Sequence, residues 1–221
     1  MRSELFYTDQ HIHIGQRIVD FLNARQGYLS SVTIRSTRAV GDAIQDILAE
    51  HFQDILADER AIYSTGFARR AMADLAFEDH NGCYYVVDVK THRMNDTKFN
   101  MPNLTSVERL ARFYEDEKNY FVLLLVDYEV IDVQVVVRYV TFVPIEFLSW
   151  HCLTLGALGW GQIQIANSNH ILLNPGYSRR TWMLELCDAL LDFYPREINK
   201  IVQRIEYFQK VRLFWEGKLE N

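Results

Sequence analysis

Cysteine is scarce in this chain of 221 residues, and its three copies lie far apart. Cys83, Cys152 and Cys187 form no CxxC pair, and no group of histidines and cysteines has the spacing of a zinc site. Three cysteines so far apart are also too few for a disulfide framework. We interpret the three as reduced thiols, as is typical of a cytoplasmic protein.

Long apolar runs are missing as well. The longest falls well short of the roughly 20 residues that a transmembrane helix requires, so we expect no membrane association. The segment MRSELFYTDQ lacks the apolar stretch of a secretory signal peptide. The glycine motifs GxxxxGKS/T and GxGxxG, which bind phosphate groups of nucleotides, do not occur either.

A net positive charge, which marks many nucleic-acid-binding domains, is absent. The 23 lysines and arginines are outnumbered by 29 acidic residues, and the net charge is −6. This balance argues against indiscriminate binding of nucleic acid. The basic residues nevertheless occur in clusters, which are compatible with one basic surface: Arg35 and Arg38, Arg69 and Arg70, the stretch Lys90–His92–Arg93–Lys98, Arg109 and Arg112, and Arg179 and Arg180.

Apolar periodicity indicates a chain of mixed secondary structure. It predicts helices over about 9–26, 38–57, 105–117 and 178–216, with Thr37 and Thr105 as N-caps and a break near Pro195. Strands are predicted at about 71–78, 83–91, 120–127, 132–143, 162–166 and 170–173, and loops at 58–69 and 92–103. The turn signal His80-Asn81-Gly82 joins the first two strands as a β-hairpin. This order predicts an α/β or α+β fold with a mixed sheet flanked by helices.

Two charged residues lie two positions apart in an otherwise apolar strand, within the segment VVDVKTHRMN (86–95). Alternate residues of a strand point to the same face, so Asp88 and Lys90 are neighbours there. Asp74 belongs to the preceding strand, and a hairpin that turns at 79–82 places it nearly opposite Asp88. We therefore expect two carboxylates and one ammonium group to converge.

Two interpretations of this group are open. Lys90 could form an ordinary salt bridge with one of the acids. Alternatively, the two carboxylates hold a cation between them, since adjacent carboxylates repel each other. Mg²⁺ is typically bound by one or two carboxylates and by substrate phosphate oxygens, and the Val89 carbonyl would add a ligand. Lys90 would then orient or deprotonate an attacking water, which predicts metal-assisted phosphodiester hydrolysis.

The pattern Asp74, then Asp88-Val89-Lys90 across a hairpin, resembles the signature of the PD-(D/E)xK nucleases, although Ala73 replaces the usual proline. Four further stretches resemble the blunt-cutting type II restriction endonucleases of that superfamily, the branch around HincII and EcoRV. They are TRAVGD (37–42), MPNLTS (101–106), GQIQI (161–165) and GYSRRTW (176–182). The resemblance extends from about residue 37 to about residue 210.

This resemblance implies a single restriction-endonuclease-like domain over residues 1–221. Its core would be a central mixed five-stranded sheet flanked by helices, with a small β subregion for DNA recognition. Residues 37–145 would form the catalytic core, and residues 146–221 the recognition segment and the C-terminal helix. Residues 1–36 would serve dimerisation.

The resemblance also assigns roles. Asp74, Asp88 and the Val89 carbonyl would bind Mg²⁺, for which Mn²⁺ is expected to substitute while Ca²⁺ inhibits. Lys90 would lie beside the attacking water. Asp42 would be an auxiliary acid on the first catalytic-core helix, with Asp46, one turn further on, as the alternative. Asp42 could equally favour the helix N-terminus through the helix dipole.

Two segments carry side chains suited to DNA. Amides in the loop 93–106 and in the segment 156–169 can read base edges, and lysine and arginine suit phosphates. Phe99 or Met101 could wedge between base steps, whereas Trp160 is interpreted as a packed aromatic. The alternative for the first segment is a polar surface loop. The predicted DNA-binding residues are Arg93, Lys98, Asn100, Asn103, Thr105, Ser106, Gln162, Gln164, Asn167, Arg179 and Arg180.

The resulting hypothesis is a Mg²⁺-dependent type II restriction endonuclease that cuts double-stranded DNA at a short palindrome. It would act as a homodimer, because two-fold protein symmetry matches two-fold DNA symmetry. Blunt ends, a prokaryotic cytoplasm and a host-protecting DNA methyltransferase that makes no direct contact are implied by the resemblance alone. Two alternatives stay open: a structure-specific PD-(D/E)xK repair nuclease, and a non-catalytic DNA-binding protein on the same fold.

Overall fold

The fold is known from a computed structural model that describes residues 2–25, 33–57, 62–63, 74–95, 100–132, 134–156 and 160–218. The chain divides into two compact units, residues Met1–Tyr177 and Ser178–Asn221. The first unit contains two sheets and the shorter helices. The described part of the second unit is one long helix and the residues that flank it.

The helices are α1 (Glu4–Tyr7), α2 (Gln10–Ala24), α3 (Thr37–Leu56), α4 (Val107–Phe113) and α5 (Arg179–Glu216). Short 3-10 turns lie at Thr33–Arg35, Ile145–Phe147 and Trp150–Cys152. The strands are β1 (Ile62–Tyr63), β2 (Leu75–Glu78), β3 (Tyr84–Arg93), β4 (Asn103–Ser106), β5 (Asn119–Ile131), β6 (Gln134–Pro144), β7 (Leu153–Gly156) and β8 (Gln162–Ile165). Within the described residues, no helix is long and apolar enough to cross a membrane.

The main sheet has mixed strand directions. β2 is antiparallel to β3, β3 is parallel to β5, and β5 is antiparallel to β6. The two residues of β1 pair along the outer edge of β2. Parallel neighbours require a crossover, and the segment between β3 and β5 contains β4 and α4. The predicted mixed sheet with helices is therefore confirmed at the level of fold class.

The core lies between one face of this sheet and the first three helices. Helix α3 shows why: its buried residues Val40, Ile44, Leu48, Phe52 and Ile55 recur every three or four positions and form one apolar stripe. Alternate residues of β3 and β5 face this stripe and are buried with it. Each fully buried large apolar side chain stabilises the fold by roughly 1.5–3 kcal/mol.

Several helix boundaries differ from the predicted ones because neighbouring side chains form the capping hydrogen bonds. Ser36, not Thr37, caps α3, since its side chain accepts a hydrogen bond from the Ala39 N–H at 3.3 Å. Ser106, not Thr105, caps α4 in the same way through the Arg109 N–H. Helix α4 then ends at Phe113, four residues before the predicted end.

A second sheet of three strands was predicted only in part. Its order is β4-β8-β7, and both pairings are antiparallel. Residues 103–106, predicted as the end of a loop and the start of a helix, form a strand because they pair with β8. The strand predicted at 170–173 is wrong, since Leu173 makes only an isolated bridge with Leu148 and the partner of β8 is β7.

Helix α5 continues through Pro195 for 38 residues, so the predicted break is wrong. A proline inside a helix removes one backbone hydrogen bond and costs about 3 kcal/mol. The remaining hydrogen bonds of so long a helix hold its two halves in one element.

Asp79 ties the turn of the β2–β3 hairpin. Its buried carboxylate accepts hydrogen bonds from the backbone N–H groups of Asn81 and Cys83, both at 2.9 Å, and from the Tyr85 hydroxyl at 2.6 Å. Gly82 follows with a φ of 73°, a conformation that glycine adopts without steric cost. The turn therefore depends on one carboxylate and one glycine.

We expect Asp79→Ala to lower the free energy of unfolding by about 2–3 kcal/mol, because a buried N–H and a buried hydroxyl lose their acceptor. Urea unfolding measures this change. Asp116→Ala is the matched control, since that carboxylate also accepts a turn N–H, from Lys118 at 2.9 Å, but at an exposed position. The control should lose less than about 1 kcal/mol. Equal losses in both variants would show that burial of the Asp79 network contributes nothing.

Candidate active site

Asp74 and Asp88 come together through the register of the β2–β3 hairpin. Leu75 pairs with Val87, so the next position along the strands brings Asp74 opposite Asp88. The Asp74 N–H donates to the Val87 carbonyl at 3.0 Å, and its carboxylate accepts from the Val89 N–H at 2.8 Å. Asp74 is thus held by the residues on either side of Asp88, in the arrangement that the sequence predicts.

Asp88 and Lys90 form a close pair on one face of β3. The Lys90 ammonium lies 2.7 Å from Asp88 Oδ1, and the Asp88 side chain is only 8% exposed. Burial raises the pKa of Asp88 from its ordinary value of 3.8 to about 7; the charge of Lys90 opposes this shift and the charge of Asp74 adds to it. The cost of desolvating the carboxylate therefore outweighs its salt bridge.

The second oxygen of Asp88 is the feature that most favours a cation. Among the residues that the structure describes, no hydrogen-bond partner reaches the buried Asp88 Oδ2. An unpaired buried carboxylate oxygen is costly unless it is protonated or bound to a cation. The residues present thus fit a metal ion, with Asp74 and Asp88 as the residues that would hold it.

The kind of metal is limited by the number of ligands. No group of three His, Cys, Asp or Glu side chains that could hold an ion occurs within the described ranges. An ion here would take most of its ligands from backbone, water and substrate. Mg²⁺ commonly binds in this way, through one or two carboxylates and phosphate oxygens, whereas zinc usually needs three or four protein ligands.

Helix α3 reaches the site through Gln45, a residue that the sequence did not single out. Its side-chain amide donates to Asp74 Oδ1. The helix approaches β3 so closely that a Cβ on Gly41 would lie 2.7 Å from Thr91 Oγ1. Gly41 and Gln45 are one turn apart on the same face of α3. This spacing was the signal in the sequence that could have indicated a role for Gln45.

The predicted auxiliary acids lie elsewhere on this helix. The Asp42 side chain is 68% exposed, and its carboxylate is 4.0 Å from the Arg38 guanidinium. Asp46 is exposed as well. The helix side chain that contacts Asp74 is therefore an amide, and the role of Asp42 stays a prediction.

A histidine–aspartate pair extends the polar face of β3. His92 lies two residues beyond Lys90 and is paired with Asp127 of β5 in the parallel register. His92 Nδ1 is 2.8 Å from Asp127 Oδ1, and within the described part of the chain the buried Nε2 has no hydrogen-bond partner. Burial raises the pKa of Asp127, which the hydrogen bond and charge of His92 oppose.

This pair opens onto a cavity of about 430 Å³. The cavity is lined by His92, Met94, Asp127, Thr141, Ser168, Asn169 and Ile171. His92 is two residues beyond Lys90 on β3, and the residues that line the cavity do not include Asp74, Asp88 or Lys90. The sequence had placed His92 only in a basic cluster, because nothing local indicates that β3 and β5 are parallel neighbours.

The two segments predicted to contact DNA meet in the small sheet. Asn103 of β4 pairs with Gln164 of β8, and the Gln164 amide donates to Asn103 Oδ1. Ser106 pairs with Gln162, which shares a face with Gln164. Beside β8, Trp160 is 78% exposed, so its interpretation as a packed aromatic is wrong.

Other predicted DNA-binding side chains are used within the fold. Thr105 is 3% exposed, and the Ser106 hydroxyl caps α4. Asn167 Oδ1 accepts from the Asn169 N–H at 2.9 Å. Arg93 donates to Asn95 at 2.9 Å.

The remaining predicted residues are placed as follows. Asn100 is exposed, and its backbone N–H donates to the Ser168 hydroxyl at 3.0 Å. Arg179 and Arg180 occupy the first turn of α5 in the second unit. Lys98, Phe99 and Ala73 lie outside the described residues.

Comparison of the chain with protein-family models and with curated proteins found no match.

We expect Asp88→Asn to stabilise the protein in EDTA at pH 8. Because the pKa of Asp88 is higher in the folded than in the unfolded chain, the folded protein retains a proton that the unfolded chain releases between about pH 4 and pH 7. Wild-type stability therefore falls as pH rises through that window. The amide removes this loss but also removes the charge that pairs with Lys90, so the net rise in the free energy of unfolding at pH 8 should be only about 1–2 kcal/mol.

Urea unfolding at pH 5 and pH 8 measures this change. Asp54→Asn, at an exposed carboxylate of α3, is the control and should alter stability by less than about 0.5 kcal/mol. An Asp88→Asn variant that is less stable than wild type at pH 8 would contradict the interpretation. The Asp88–Lys90 salt bridge would then be a net stabilising structural pair.

Proposed function

We propose that the chain is a Mg²⁺-dependent type II restriction endonuclease built on a PD-(D/E)xK nuclease core. The observation that carries the proposal is the juxtaposition of Asp74, Asp88 and Lys90, together with the unpartnered Asp88 oxygen. Protonation of that oxygen or a bound cation would each offset the cost of burying it, and the two neighbouring carboxylates favour the cation. The mixed sheet, whose β2–β3 hairpin supplies both acids, supports the same core.

Each residue of the site has a different role in the proposed hydrolysis of a phosphodiester. Mg²⁺ held by Asp74 and Asp88 would polarise the phosphate and stabilise the negative charge that develops on it. The Lys90 ammonium, fixed by Asp88, orients the water that attacks phosphorus in line. As its oxygen bonds to phosphorus, the water loses a proton to solvent. The bond from phosphorus to the leaving oxygen breaks, and that oxygen takes up a proton from solvent. The Val89 carbonyl is the proposed third protein ligand.

Gln45 would act as a positioning residue for this chemistry. Its amide holds Asp74 Oδ1, while the Val89 N–H holds Asp74 Oδ2. With both oxygens hydrogen-bonded, the Asp74 carboxylate keeps one orientation relative to Asp88. Partners that orient a metal ligand in this way commonly change metal affinity or activity 10–100-fold.

The small sheet is the proposed element for DNA recognition. Asn103, Gln164 and Gln162 lie in neighbouring strands, and amides can make paired hydrogen bonds to adenine. The exposed ring of Trp160 and the half-exposed Met101 suit contact with bases. The cavity beside His92, a residue two positions beyond Lys90, is large enough to admit polar groups of a nucleic acid.

Recognition of a palindromic DNA sequence also implies that the protein is a dimer. Two copies of the chain would act as a homodimer, since each copy supplies one site for one strand. Blunt ends, a prokaryotic cytoplasmic location and a protecting DNA methyltransferase belong to the same proposal.

Digestion of phage DNA tests the proposed activity. We expect discrete fragments with Mg²⁺ and none with EDTA, because the phosphate must be polarised by the ion. Asp88→Asn and Lys90→Ala should each lower the cutting rate at least about 1,000-fold, while Asp54→Asn should cut like wild type.

Each other outcome has a distinct meaning. A smear without discrete bands would favour a structure-specific repair nuclease. Absence of cutting, with DNA binding that persists in Ca²⁺, would favour a non-catalytic DNA-binding protein. Cutting by Asp88→Asn at the wild-type rate would show that the site is misplaced.

We expect Asn103→Ala to reduce cognate cutting far more than non-specific binding, because loss of a base contact costs about 1–3 kcal/mol at one base pair while phosphate contacts remain. Cutting rates are compared with salt-dependent binding to DNA that lacks the site. Asn81→Ala, at an exposed amide in the β2–β3 turn, is the control. Equal losses of cutting and of non-specific binding would mean that the small sheet positions DNA without reading it.

A further inference from the structure

Helix α5 carries a row of large apolar side chains that are exposed to solvent. Their exposed fractions run from 36% for Tyr194 to 74% for Leu191. From Leu191 to Phe208 successive members are three or four residues apart. Leu184 and Trp215 each lie seven residues from the next member, with Cys187 and Arg212 at the intervening positions of the repeat. We call this row the α5 seam: Leu184, Leu191, Tyr194, Ile198, Ile201, Ile205, Phe208 and Trp215.

The spacing of the α5 seam is that of a coiled coil. A strict seven-residue repeat with apolar first and fourth positions keeps one stripe facing a partner helix. Leu191, Ile198 and Ile205 are first positions, and Tyr194, Ile201 and Phe208 are fourth positions. Large exposed apolar patches mark interaction surfaces. The described part of the second unit is helix α5 and its flanking residues, and Trp182, Leu186 and Phe193 of α5 are buried whereas the seam is exposed. A single helix has no core of its own in which to bury such a stripe.

We propose that the α5 seam pairs with the α5 seam of a second copy of the chain, in the antiparallel direction. The direction follows from the charges that flank the seam. Glu197 and Arg204 both occupy the position just before a first position, and these positions face each other only in an antiparallel pair. Within its own helix the Glu197 carboxylate lies 2.6 Å from the Lys200 ammonium and its side chain is 20% exposed, so the partner's Arg204 would share that carboxylate with Lys200. In a parallel pair, Glu197 would face Val202 and Arg204 would face Gln209, which gives no ion pair.

The same charges select the register. When Glu197 lies beside the partner's Arg204, two-fold symmetry makes the same pair a second time. Ile198 then packs against the partner's Ile201, Tyr194 against the partner's Ile205, and Leu191 against the partner's Phe208. These contacts and their symmetry mates form six consecutive apolar layers. Sliding the helices to the next heptad register would bring the two Arg204 side chains together, and like charges at that position disfavour it.

This surface differs from the region to which the family resemblance assigned dimerisation. In the described part of residues 1–36, the apolar residues Ile14, Ile18 and Leu22 of α2 are buried in the core of the first unit. The α5 seam presents its apolar residues to solvent. The inference names a surface for the homodimer of the proposed function, and it rests on the residues of α5 and not on the nuclease chemistry.

The mass of the full-length protein in solution tests the inference. Size-exclusion chromatography with light scattering should find a dimer of wild type at micromolar concentration. Ile201→Asp should raise the dimer dissociation constant at least about 100-fold, because it places a charge in the central layers. Leu213→Asp is the matched control, since Leu213 is 69% exposed but lies off the seam, and it should leave the dissociation constant within about threefold of wild type.

Circular dichroism distinguishes unfolding of a variant from loss of dimerisation, because it measures helix content. Both variants should retain the wild-type helix content, so a lower mass would report loss of pairing. A monomeric wild type would overturn the inference and would indicate that the seam is covered by its own chain. Equal effects of Ile201→Asp and Leu213→Asp would overturn it too.

Charge exchange tests direction and register. Glu197→Arg and Arg204→Glu should each weaken the dimer about tenfold, and the double variant should restore wild-type affinity.

Cys187 gives a second test, because it is exposed whereas Cys83 and Cys152 are buried. In the proposed register it faces the partner's Arg212, so the two Cys187 thiols lie about 37 Å apart along the helix axis. Failure of the double variant to recover, or rapid disulfide linkage of the dimer through Cys187, would overturn the antiparallel arrangement.

Discussion

The pairing of β3 with its two neighbours is the constraint on which the rest of the structure depends. Side chains of a strand alternate between faces, so this pairing assigns every second residue of β3 to the core and the others to the opposite face. Val87 and Val89 join the apolar core, and Asp88, Lys90 and His92 form a polar row behind it. A slip of one residue would exchange the two sets and put an acid and a lysine into the apolar core.

Each neighbour of β3 contributes something different. The antiparallel neighbour β2 supplies Asp74, whose carboxylate is held by the Val89 N–H. The parallel neighbour β5 supplies Asp127, which lies against His92. The crossover that parallel pairing requires carries β4 away from the main sheet and into contact with β8. The polar row and the amide-bearing small sheet thus follow from one strand arrangement.

The local part of this arrangement was predictable from the sequence. The hairpin, the facing of Asp74 and Asp88, the apolar stripe of α3 and the long C-terminal helix all follow from periodicity and turn residues, because their contacts are close in sequence. The pairs His92–Asp127, Gln45–Asp74 and Asn103–Gln164 were not predictable. Their partners are 35, 29 and 61 positions apart, and the polarity of one residue carries no information about its distant partner.

The sequence by itself determined the period of each element, the charges placed on one face of β3 and the heptad spacing of the α5 seam. Only the tertiary structure decided that Asp88 is buried with one oxygen lacking a donor, and that an amide rather than an acid of α3 contacts Asp74. The reason is physical. Periodicity is a property of neighbouring residues, whereas burial and desolvation depend on which distant segments of the chain close around a side chain.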